Sequence, residues 1–447
     1  MRLGLSAALL LFLALHATRI LPLGFVDRLE TYLYDLRVTL SMPGGVDPRV
    51  VIVDIDERSI GVEGHWPWRR DKLARLMNQL FDVYGIKALG FDVVFPEGDD
   101  PSATQVIDDI ARGPAGAIPQ VREQLAAERA RHETDRQFAE SLIARDIVLG
   151  VVFKPRVSEG EPAEVGRLPP SVALSSGNVS AVSWLSPVGF TGNLPALVEN
   201  AASGGFFDTP IIDDDGKVRR APLFQRYKGQ LYESLALAVT RIATGAPPLT
   251  LAFAREAGEF SRLEFVEIGE RRVPVDPDGA VLIPFRGDVG SFPYVSATDV
   301  LAGQAPADLL TGKIVLVGTS APGLVDIRAT PVSKLYIGVE AHANLIAGML
   351  DGAIRFRPAI APRIELAALT LLALLTALWL PRLAPLSGFL WVGAALAAVV
   401  GLNGAAWIYA GLWLPLASSV VLILAAALLQ LTYGYFVETR RKRRRIS

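Results

Sequence analysis

The sequence predicts an α/β domain with a largely parallel central sheet and some α+β elements, together with an α-helical transmembrane bundle. Between residues 50 and 349, short apolar runs alternate with helically spaced apolar residues, which is typical of strand–helix–strand units with parallel strands. Residues 364–436 are apolar almost throughout, and no charged residue lies between Leu383 and Val437. Since soluble helices rarely stay apolar on every face over such a length, this block is predicted to lie in a membrane.

The composition fits a membrane protein with a large water-soluble part. Of the 447 residues, 51% are hydrophobic, and the length allows two or three domains. The formal net charge of −2 gives no indication of a nucleic-acid partner. The chain contains no cysteine, which excludes disulfides and thiolate chemistry, and its four histidines and four methionines offer few soft metal ligands.

Membrane spans are predicted at both ends of the chain. A helix needs roughly 20 apolar residues to cross a bilayer core of about 30 Å. Residues 364–436 meet this requirement three times, at about 364–380, 386–410 and 412–433. Residues 1–24 fit an N-terminal transmembrane anchor or a cleaved signal peptide, and the lack of a small-residue cleavage site around His16 favours the anchor. Asn403 and Gln430 are strongly polar residues within these spans, and we expect them to hydrogen-bond across helices.

Positive charges predict the orientation of the chain. Arg2 precedes the first predicted span, Arg382 follows the second, and a basic tail occupies residues 437–447. Four spans put all of these charges in the cytoplasm, as the positive-inside rule requires. The prediction is a multi-pass protein of the plasma (inner) membrane, in contact with lipid, with cytoplasmic N- and C-termini and with residues 42–355 outside the cytoplasm.

Residues 25–41 are predicted to continue the anchor outward as a stalk helix. Their apolar residues recur at helical spacing, with charged residues between them. These apolar residues are Phe25, Leu29, Leu33, Leu36 and Leu40. The following Pro-Gly-Gly at residues 43–45 ends the helix.

The exported domain, residues 42–355, is predicted to follow α/β order. Periodicity and turn residues give, in sequence, a strand at 50–56, a helix at 69–84, a strand at 87–95, a helix at 135–144, a strand at 147–153, a long loop at 154–183, a turn at 213–218, a helix at 231–243, a strand pair at 264–284 turning at 276–279, a strand at 312–318 and a helix at 338–349. Residues 97–133 read as loop and surface helix.

Carboxylates follow two of the predicted strands and form the main candidate ligand-binding site. Asp54, Asp56 and Glu57 close the first strand, and Asp92 and Glu97 close the next. Ligands of parallel sheets bind at the carboxyl ends of strands, so these groups suit a hard cation or a cationic or hydroxyl-bearing ligand. The alternative is that they pair with Arg58, Arg69 and Arg70 or cap helix starts.

Three further residues complete the candidate site. Trp66 and Trp68 form either an aromatic pocket or a cap over the core. Asp326 is a candidate ligand-binding carboxylate, and a mixed carboxylate–imidazole site there would need Glu340 and His342 as further ligands. Because Glu340 and His342 are two residues apart on one helix, they face different directions, and no metal site is expected. No nucleophile–base set is present, so we expect no catalytic residues and no cofactor.

Six separated stretches carry a resemblance to a known family. They are VIVDIDERSI at 51–60, GHWPWRR at 64–70, GFDVVFPE at 90–97, DDGKVRR at 214–220, GTSAPGLVD at 318–326 and GVEAHAN at 338–344. In this order they resemble the CHASE domain of type 2, over about residues 32–350, and the three spans that follow also match the family's pattern. The resemblance implies an extracytoplasmic sensory domain whose helices pass a signal inward.

The resemblance also implies a cytoplasmic output, most often a class III nucleotide cyclase or a kinase, which this chain does not contain up to Ser447. The expected function is therefore a non-enzymatic receptor module acting as a homodimer on an effector in cis or in trans, with an unidentified extracytoplasmic ligand or protein as its signal. The alternative is an envelope assembly protein whose exported domain docks a permanent partner.

Overall fold

The computed structural model describes residues 2–99, 101–176, 179–254, 262–429 and 432. The chain divides into two compact units. The helical unit comprises Met1–Ser41 and Arg355–Ser447, and the α/β unit comprises Met42–Ile354. Gln430 and the predicted basic tail at 437–447 lie outside the described residues.

The helices occupy both units. In chain order they are α1 Arg2–Ala17, α2 Gly24–Ser41, α3 Glu57–Glu63, α4 Arg70–Asn78, α5 Pro101–Arg112, α6 Pro119–His132, α7 Thr134–Ser141, α8 Pro195–Asn200, α9 Leu235–Ala243, α10 Ala297–Leu301, α11 Ala307–Leu310, α12 Gly338–Asp351, α13 Ala361–Trp379, α14 Pro385–Tyr409 and α15 Ala417–Leu429. A π-helical turn, Gln79–Val83, extends α4.

The strands belong to the α/β unit. In chain order they are β1 Val50–Asp54, β2 Ala88–Phe91, β3 Ile147–Lys154, β4 Glu164–Val165, β5 Leu174–Ser176, β6 Gly189–Thr191, β7 Ser203–Phe206, β8 Arg220–Pro222, β9 Phe224–Tyr227, β10 Gln230–Glu233, β11 Leu249–Phe253, β12 Leu263–Ile268, β13 Arg271–Pro274, β14 Ala280–Leu282, β15 Tyr294–Ser296, β16 Ile314–Gly318, β17 Ile327–Arg328 and β18 Tyr336–Ile337.

The main sheet of the α/β unit is mixed. Its strands follow the order β15-β1-β16-β2-β3-β6-β4, and β7 also pairs with β3. The neighbours from β15 to β3 pair in parallel, as do β3 and β7, whereas β6 pairs antiparallel with β3. All residues of β1, β2 and β16 are buried, which explains why these strands read as continuous apolar runs.

Helices cover both faces of this sheet. Side chains alternate between the faces, so Val51, Leu89 and Val315 join one core cluster with apolar residues of α4 and α7. On the other face, α9 packs against β2, β3 and β7, and α12 packs against β1 and β16. Gly90 allows the close approach of α9, because a Cβ atom there would lie 2.6 Å from Cγ2 of Val239.

Several predicted elements differ from the structure. The helix predicted at 231–243 starts later, since β10 precedes it and Ser234 caps α9 by accepting a hydrogen bond from the Leu237 N–H (3.3 Å). The predicted long loop at 154–183 contains the short strands β4 and β5. The turn at 213–218 forms, with the Gly216 N–H donating to the Asp213 carbonyl (2.8 Å).

The strand pair predicted at 264–284 is wrong in its turning point. The Asp276–Gly279 turn forms, and the Gly279 N–H donates to the Asp276 carbonyl (3.0 Å). However, β12 turns at Gly269, whose positive φ suits a tight turn, and pairs with β13, whereas β14 pairs with β8. The predicted hairpin contains two turns, at Gly269 and at Asp276–Gly279. The hairpin forms around the first of them, whereas the prediction used the second.

Two helices of the helical unit have the length and apolarity to cross a membrane. They are Ala361–Trp379 and Leu386–Tyr409, and they correspond to the second and third predicted spans. The first and last predicted spans correspond to shorter apolar helices, Ala7–Ala17 and Ala417–Leu429. The predicted stalk forms helix α2 in this same unit, where Val26 packs with Leu13, Leu369 and Leu422.

Glu30 of α2 lies at the centre of a largely buried polar network in the helical unit. Its carboxylate accepts hydrogen bonds from the backbone N–H groups of Leu416 (2.7 Å) and Ala417 (2.9 Å), at the start of α15. It also accepts from Nε1 of Trp413 (2.9 Å) and from Arg37 (2.5 Å). Glu30 therefore supplies the side-chain cap that the apolar start of α15 lacks.

Arg37 extends this network to α14. Its guanidinium donates to Oδ1 of Asn403 (2.6 Å) and to the carbonyl of Leu414 (3.1 Å). The amide of Asn403 donates to the same carbonyl (3.0 Å). Asn403 thus makes the cross-helix hydrogen bonds expected of it, and α2 is tied to α14 and to the segment before α15.

Candidate functional site

The carboxyl ends of the parallel strands meet along one edge of the sheet. In register, Asp54 of β1 lies opposite Gly318 of β16, and Phe91 of β2 lies opposite Val317. Phe206 at the end of β7 pairs with Val151 of β3. The residues that follow these strands therefore lie along a common edge, where the sequence placed the candidate site.

Asp54 is held by the turn that follows β16. Its carboxylate accepts hydrogen bonds from the backbone N–H (2.8 Å) and the hydroxyl of Ser320. Burial raises the pKa of Asp54, and the two bonds from Ser320 oppose this shift. Since the Ser320 N–H is already bonded, the Gly318–Gly323 segment acts as a structural turn around Asp54.

Asp56 caps a helix. Its carboxylate accepts a hydrogen bond from the Ser59 N–H (2.7 Å) at the start of α3 and another from the Ser296 hydroxyl (2.9 Å). Glu57, the first residue of α3, is exposed. The capping alternative considered for these carboxylates thus describes Asp56.

Glu97 and the neighbouring arginines do not converge on a common ligand. The Glu97 side chain is exposed, and its carbonyl accepts from Arg70 (3.1 Å). The arginines pair with other carboxylates: Arg58 with Asp299, Arg69 with Asp71 and Arg70 with Asp135. Within the described ranges, no group of three or more His, Cys, Asp or Glu residues is arranged to hold a metal ion.

The two tryptophans belong largely to the core. Trp68 is buried, joins the main apolar cluster and donates its Nε1–H to the Gly64 carbonyl (2.9 Å). Trp66 is partly exposed and packs edge-on against Trp68, with ring centroids 5.6 Å apart. This arrangement corresponds to the cap over the core, with only Trp66 facing water.

Asp92 and His342 form a pair at the centre of the sheet edge. Asp92 directly follows β2, and His342 lies on α12, with its Nε2 atom 3.9 Å from Oδ1 of Asp92. Their side chains are 12% and 10% exposed. Nδ1 of His342 is buried without a hydrogen-bond partner in the described part of the chain. The pair thus brings together two of the separated sequence motifs and leaves acceptor capacity unused.

The electrostatics of this pair follow from burial. Burial and repulsion by Asp326 raise the pKa of Asp92 well above its usual value, and Arg328 partly opposes the shift. Burial lowers the pKa of His342 to about 4, and a hydrogen bond with the backbone of Phe207 acts in the opposite direction. At neutral pH the imidazole is therefore uncharged.

Asp326 and Arg328 lie at the exposed side of this group. The two side chains form an ion pair, with Nε of Arg328 3.0 Å from Oδ1 of Asp326. The Asp326 carbonyl accepts from the N–H of Gly338, the first residue of α12 (2.8 Å). The predicted candidate Asp326 is thus placed next to the helix that carries His342.

Asp208 is a further carboxylate of this edge that the sequence reasoning missed. It accepts from the Phe153 N–H (2.9 Å) and from Nε2 of Gln225 (2.8 Å). Burial raises its pKa to about 6 in spite of these bonds. A signal was present in the sequence, because Asp208 comes shortly after the Gly205-Phe206 end of β7 much as Asp92 comes after the Gly90-Phe91 end of β2.

Glu340 points away from His342, as the helical spacing predicted. Its carboxylate accepts from the N–H groups of Gly290 (3.0 Å) and Ser291 (2.7 Å) and from the Tyr294 hydroxyl (2.9 Å). Burial raises the pKa of Glu340, and these bonds lower it. Glu340 is therefore fully engaged in holding the loop before β15.

The structure accordingly divides the sequence-predicted residues into three sets. Asp54, Asp56 and Trp68 hold the fold together, with Trp66 packed against the same core, and Glu57 and Glu97 face solvent. Asp92 and Asp326 group with the additional residues Arg328 and His342, and Asp208 lies near Arg328. This last group, the edge cluster, offers carboxylates and a neutral imidazole to a ligand that donates hydrogen bonds.

Comparison with known proteins gives one match. The family model described as CHASE2 domain matches residues 7–380. No curated protein and no solved structure matches the chain.

Proposed function

Because the chain belongs to the CHASE2 domain family, we propose that it is a membrane receptor module that detects an extracytoplasmic signal and passes it through its membrane helices to a cytoplasmic output domain. CHASE2 is a family of extracytoplasmic sensory domains, and we assign the sensing to the α/β unit, which makes up most of the matched residues 7–380. The chain itself carries no indication of enzyme activity.

The observation that carries the proposal is the insertion of one unit into the other. The α/β unit, Met42–Ile354, interrupts the helical unit, so the chain enters it directly after α2 and leaves it shortly before α13. A rearrangement of the α/β unit therefore has two covalent routes into the helical unit. A sensor that must report a binding event across a membrane requires such a connection.

The helical unit offers a route for the signal beyond α2. Glu30 and Arg37 bond α2 to the start of α15 and to α14. In the proposed topology α15 is the last span and leads to the basic segment at 437–447 and to the output, a nucleotide cyclase or a kinase in cis or in trans. We further propose a homodimer, since symmetric pairs are the commonest oligomers.

Labelling of single cysteines tests the topology. The chain has no cysteine, so each introduced thiol is unique. In intact cells, a membrane-impermeant maleimide should label Lys87→Cys, which is exposed in the α/β unit, but not Ser447→Cys. Permeabilised cells should label both. Labelling of Ser447→Cys in intact cells, or protection of Lys87→Cys there, would contradict the proposed orientation.

A chimera tests signal transmission. A cyclase catalytic domain is joined after Ser447, and cyclic-nucleotide output is recorded while external solutes, pH and osmolality are varied. We expect at least one condition to change the output, and the change to disappear when a short linker replaces residues 42–354. A uniform output under all conditions, together with one stoichiometric cross-linked partner, would instead favour the envelope assembly protein.

A further inference from the structure

The edge cluster contains acceptors that no described residue satisfies. No hydrogen bond within the described part of the protein stabilises the ionised form of Asp92. Its pKa is set by burial and by the charges of Asp326 and Arg328. Beside it, the buried Nδ1 of His342 has no partner. A buried acceptor without a partner, such as this Nδ1, is costly and uncommon in folded proteins, whereas the Asp92 side chain keeps 12% of its surface exposed. Their placement at the carboxyl edge of the sheet, where ligands bind, points to a donor supplied from outside.

The charges of the edge cluster indicate which kind of hydrogen-bond donor it can bind. Asp92, Asp208 and Asp326 contribute three carboxylates to the cluster and Arg328 a single guanidinium, which is already paired with Asp326. His342 is neutral at physiological pH. Once Asp92 is ionised, the carboxylates outnumber the single guanidinium, and the cluster favours a cation. A coordinated metal ion is disfavoured, because the described residues hold no group of three or more suitable ligands.

A protonated amine satisfies both requirements. An ammonium group carries a positive charge and three N–H donors, which suits the Asp92 carboxylate and the unpartnered Nδ1 of the His342 ring, whose other nitrogen, Nε2, lies 3.9 Å from Oδ1 of Asp92. We propose that the edge cluster binds a small ligand through a primary ammonium group, with Asp92 and His342 as its acceptors and Asp326 and Arg328 at the entrance. This inference rests on the proposed receptor function and names the chemical class of its signal.

Binding of such a ligand has a pH signature. Burial and Asp326 disfavour ionised Asp92 in the free protein, so an ammonium ion binds most strongly once the carboxyl group has lost its proton. The charged or titratable groups around Asp92 are Asp326 directly before β17, Arg328 at the end of β17 and His342 on α12. Asp208, which follows β7, is also near Arg328. Affinity should therefore rise with pH as Asp92 ionises, with release of a proton to solvent.

Two simple cations test the proposal on the full chain in lipid nanodiscs. Methylammonium has N–H donors, whereas tetramethylammonium has the same charge and none. The readout is the ring ¹H–¹⁵N spectrum of His342, identified among the four histidines by His342→Gln. We expect saturable shifts with methylammonium and none with tetramethylammonium. Asp92→Asn, which keeps the side-chain shape, should raise the dissociation constant roughly 10- to 100-fold. Glu97→Gln, at an exposed residue, should leave the dissociation constant unchanged.

The outcomes separate this inference from the receptor proposal. Equal responses to both cations, or unchanged affinity in Asp92→Asn, would overturn the ammonium site. If Asp92→Asn fails to fold, the wild-type titration decides, because a dissociation constant for methylammonium that stays the same from about pH 5 to about pH 8 contradicts ionisation of Asp92 on binding. If the chimera responds to external stimuli but methylammonium does not shift the His342 signal, the ammonium site is rejected and the receptor proposal stands. If methylammonium shifts the His342 signal but the chimera gives no change in cyclic-nucleotide output, the receptor proposal is rejected and the ammonium site stands.

Discussion

Glu30 in the helical unit and Asp92 in the α/β unit are carboxylates with nearly equal burial and opposite surroundings. The side chain of Glu30 is 13% exposed and that of Asp92 is 12% exposed. Glu30 accepts hydrogen bonds from Arg37, Trp413 and two backbone N–H groups. No residue of the described ranges donates a hydrogen bond to Asp92, and Nε2 of His342 lies 3.9 Å from its Oδ1 atom. The two carboxylates therefore differ in their hydrogen-bond donors and not in their burial.

Removal of Glu30 should produce the largest loss of stability. Glu30→Ala leaves Arg37 as a buried charge without its carboxylate and strips the start of α15 of its cap. We expect a loss of about 3–5 kcal/mol in the free energy of unfolding, the usual cost of breaking a buried pair. Unfolding by SDS in mixed micelles, followed by tryptophan fluorescence, measures it.

The control for this variant is a glutamate that makes no buried contact. Glu57→Ala removes an exposed carboxylate and should change the free energy of unfolding by no more than about 0.5 kcal/mol. A loss of similar size in both variants would mean that the Glu30 network does not hold α2 to α14 and α15.

The edge cluster should reveal itself through two opposite pH dependences. Burial raises the pKa of Asp208 to about 6, so the folded protein holds more protons than the unfolded chain from about pH 4 to 6, and stability falls as pH rises through this range. Burial lowers the pKa of His342 to about 4, so the unfolded chain holds more protons up to about pH 6.5, and stability rises with pH. Each of these two contributions amounts to about 3 kcal/mol. The raised pKa of Asp92 adds a further contribution that falls as pH rises, so each variant is compared with the wild type.

Single variants separate the two contributions. Asp208→Asn keeps an acceptor for the Phe153 N–H, and between about pH 4 and 6 its free energy of unfolding should rise relative to that of the wild type. The free energy of unfolding of His342→Gln should fall relative to that of the wild type over the same range. Thermal unfolding of the full chain at a series of pH values provides the measurement. Parallel profiles for the two variants would show that these groups are not buried as described.

Part of this comparison was accessible from the sequence. Continuous apolar runs predicted β1, β2 and β16 because strands buried on both faces carry no polar positions. The same runs ended in carboxylates, which placed Asp54 and Asp92 at the sheet edge. Helical spacing predicted that Glu340 and His342 face apart, and the structure places Glu340 against the loop before β15.

What the sequence did not reveal depends on pairings between distant residues. Nothing local to Asp92 indicates that His342 is its neighbour, and nothing local to Glu30 indicates that it caps a helix beginning at Ala417. The five predicted strand-end carboxylates looked alike in sequence. In the structure, however, Asp54 accepts a hydrogen bond from Ser320, and Asp56 accepts one from the first turn of α3. Only the tertiary partners distinguish the carboxylates that hold the fold from those that remain free for a ligand.

Substitution of Asp56 should have a smaller effect on stability, and it tests whether the capping carboxylate is separate from the proposed binding site at the same sheet edge. Asp56→Ala removes the cap of α3 and the bond from the Ser296 hydroxyl, and should lower the free energy of unfolding by about 1 kcal/mol. Asp56→Asn retains a capping oxygen and should stay near the wild type. Neither variant should alter the response of His342 to methylammonium. Loss of that response in Asp56→Ala would join the capping carboxylate to the binding site and erase the distinction.

Asn403 should give the smallest effect of the network, because its partner keeps other bonds. Asn403→Ala removes one acceptor from Arg37, which still bonds Glu30 and the Leu414 carbonyl. Hydrogen bonds between membrane helices contribute about 0.6 kcal/mol on average, and a loss near that value is expected in the same SDS titration. In the double variant with Glu30→Ala, the two losses should not add, since residues that share a partner are coupled by about 0.5–3 kcal/mol. Simple additivity would show that Asn403 and Glu30 stabilise the helical unit independently, and that Arg37 does not link them.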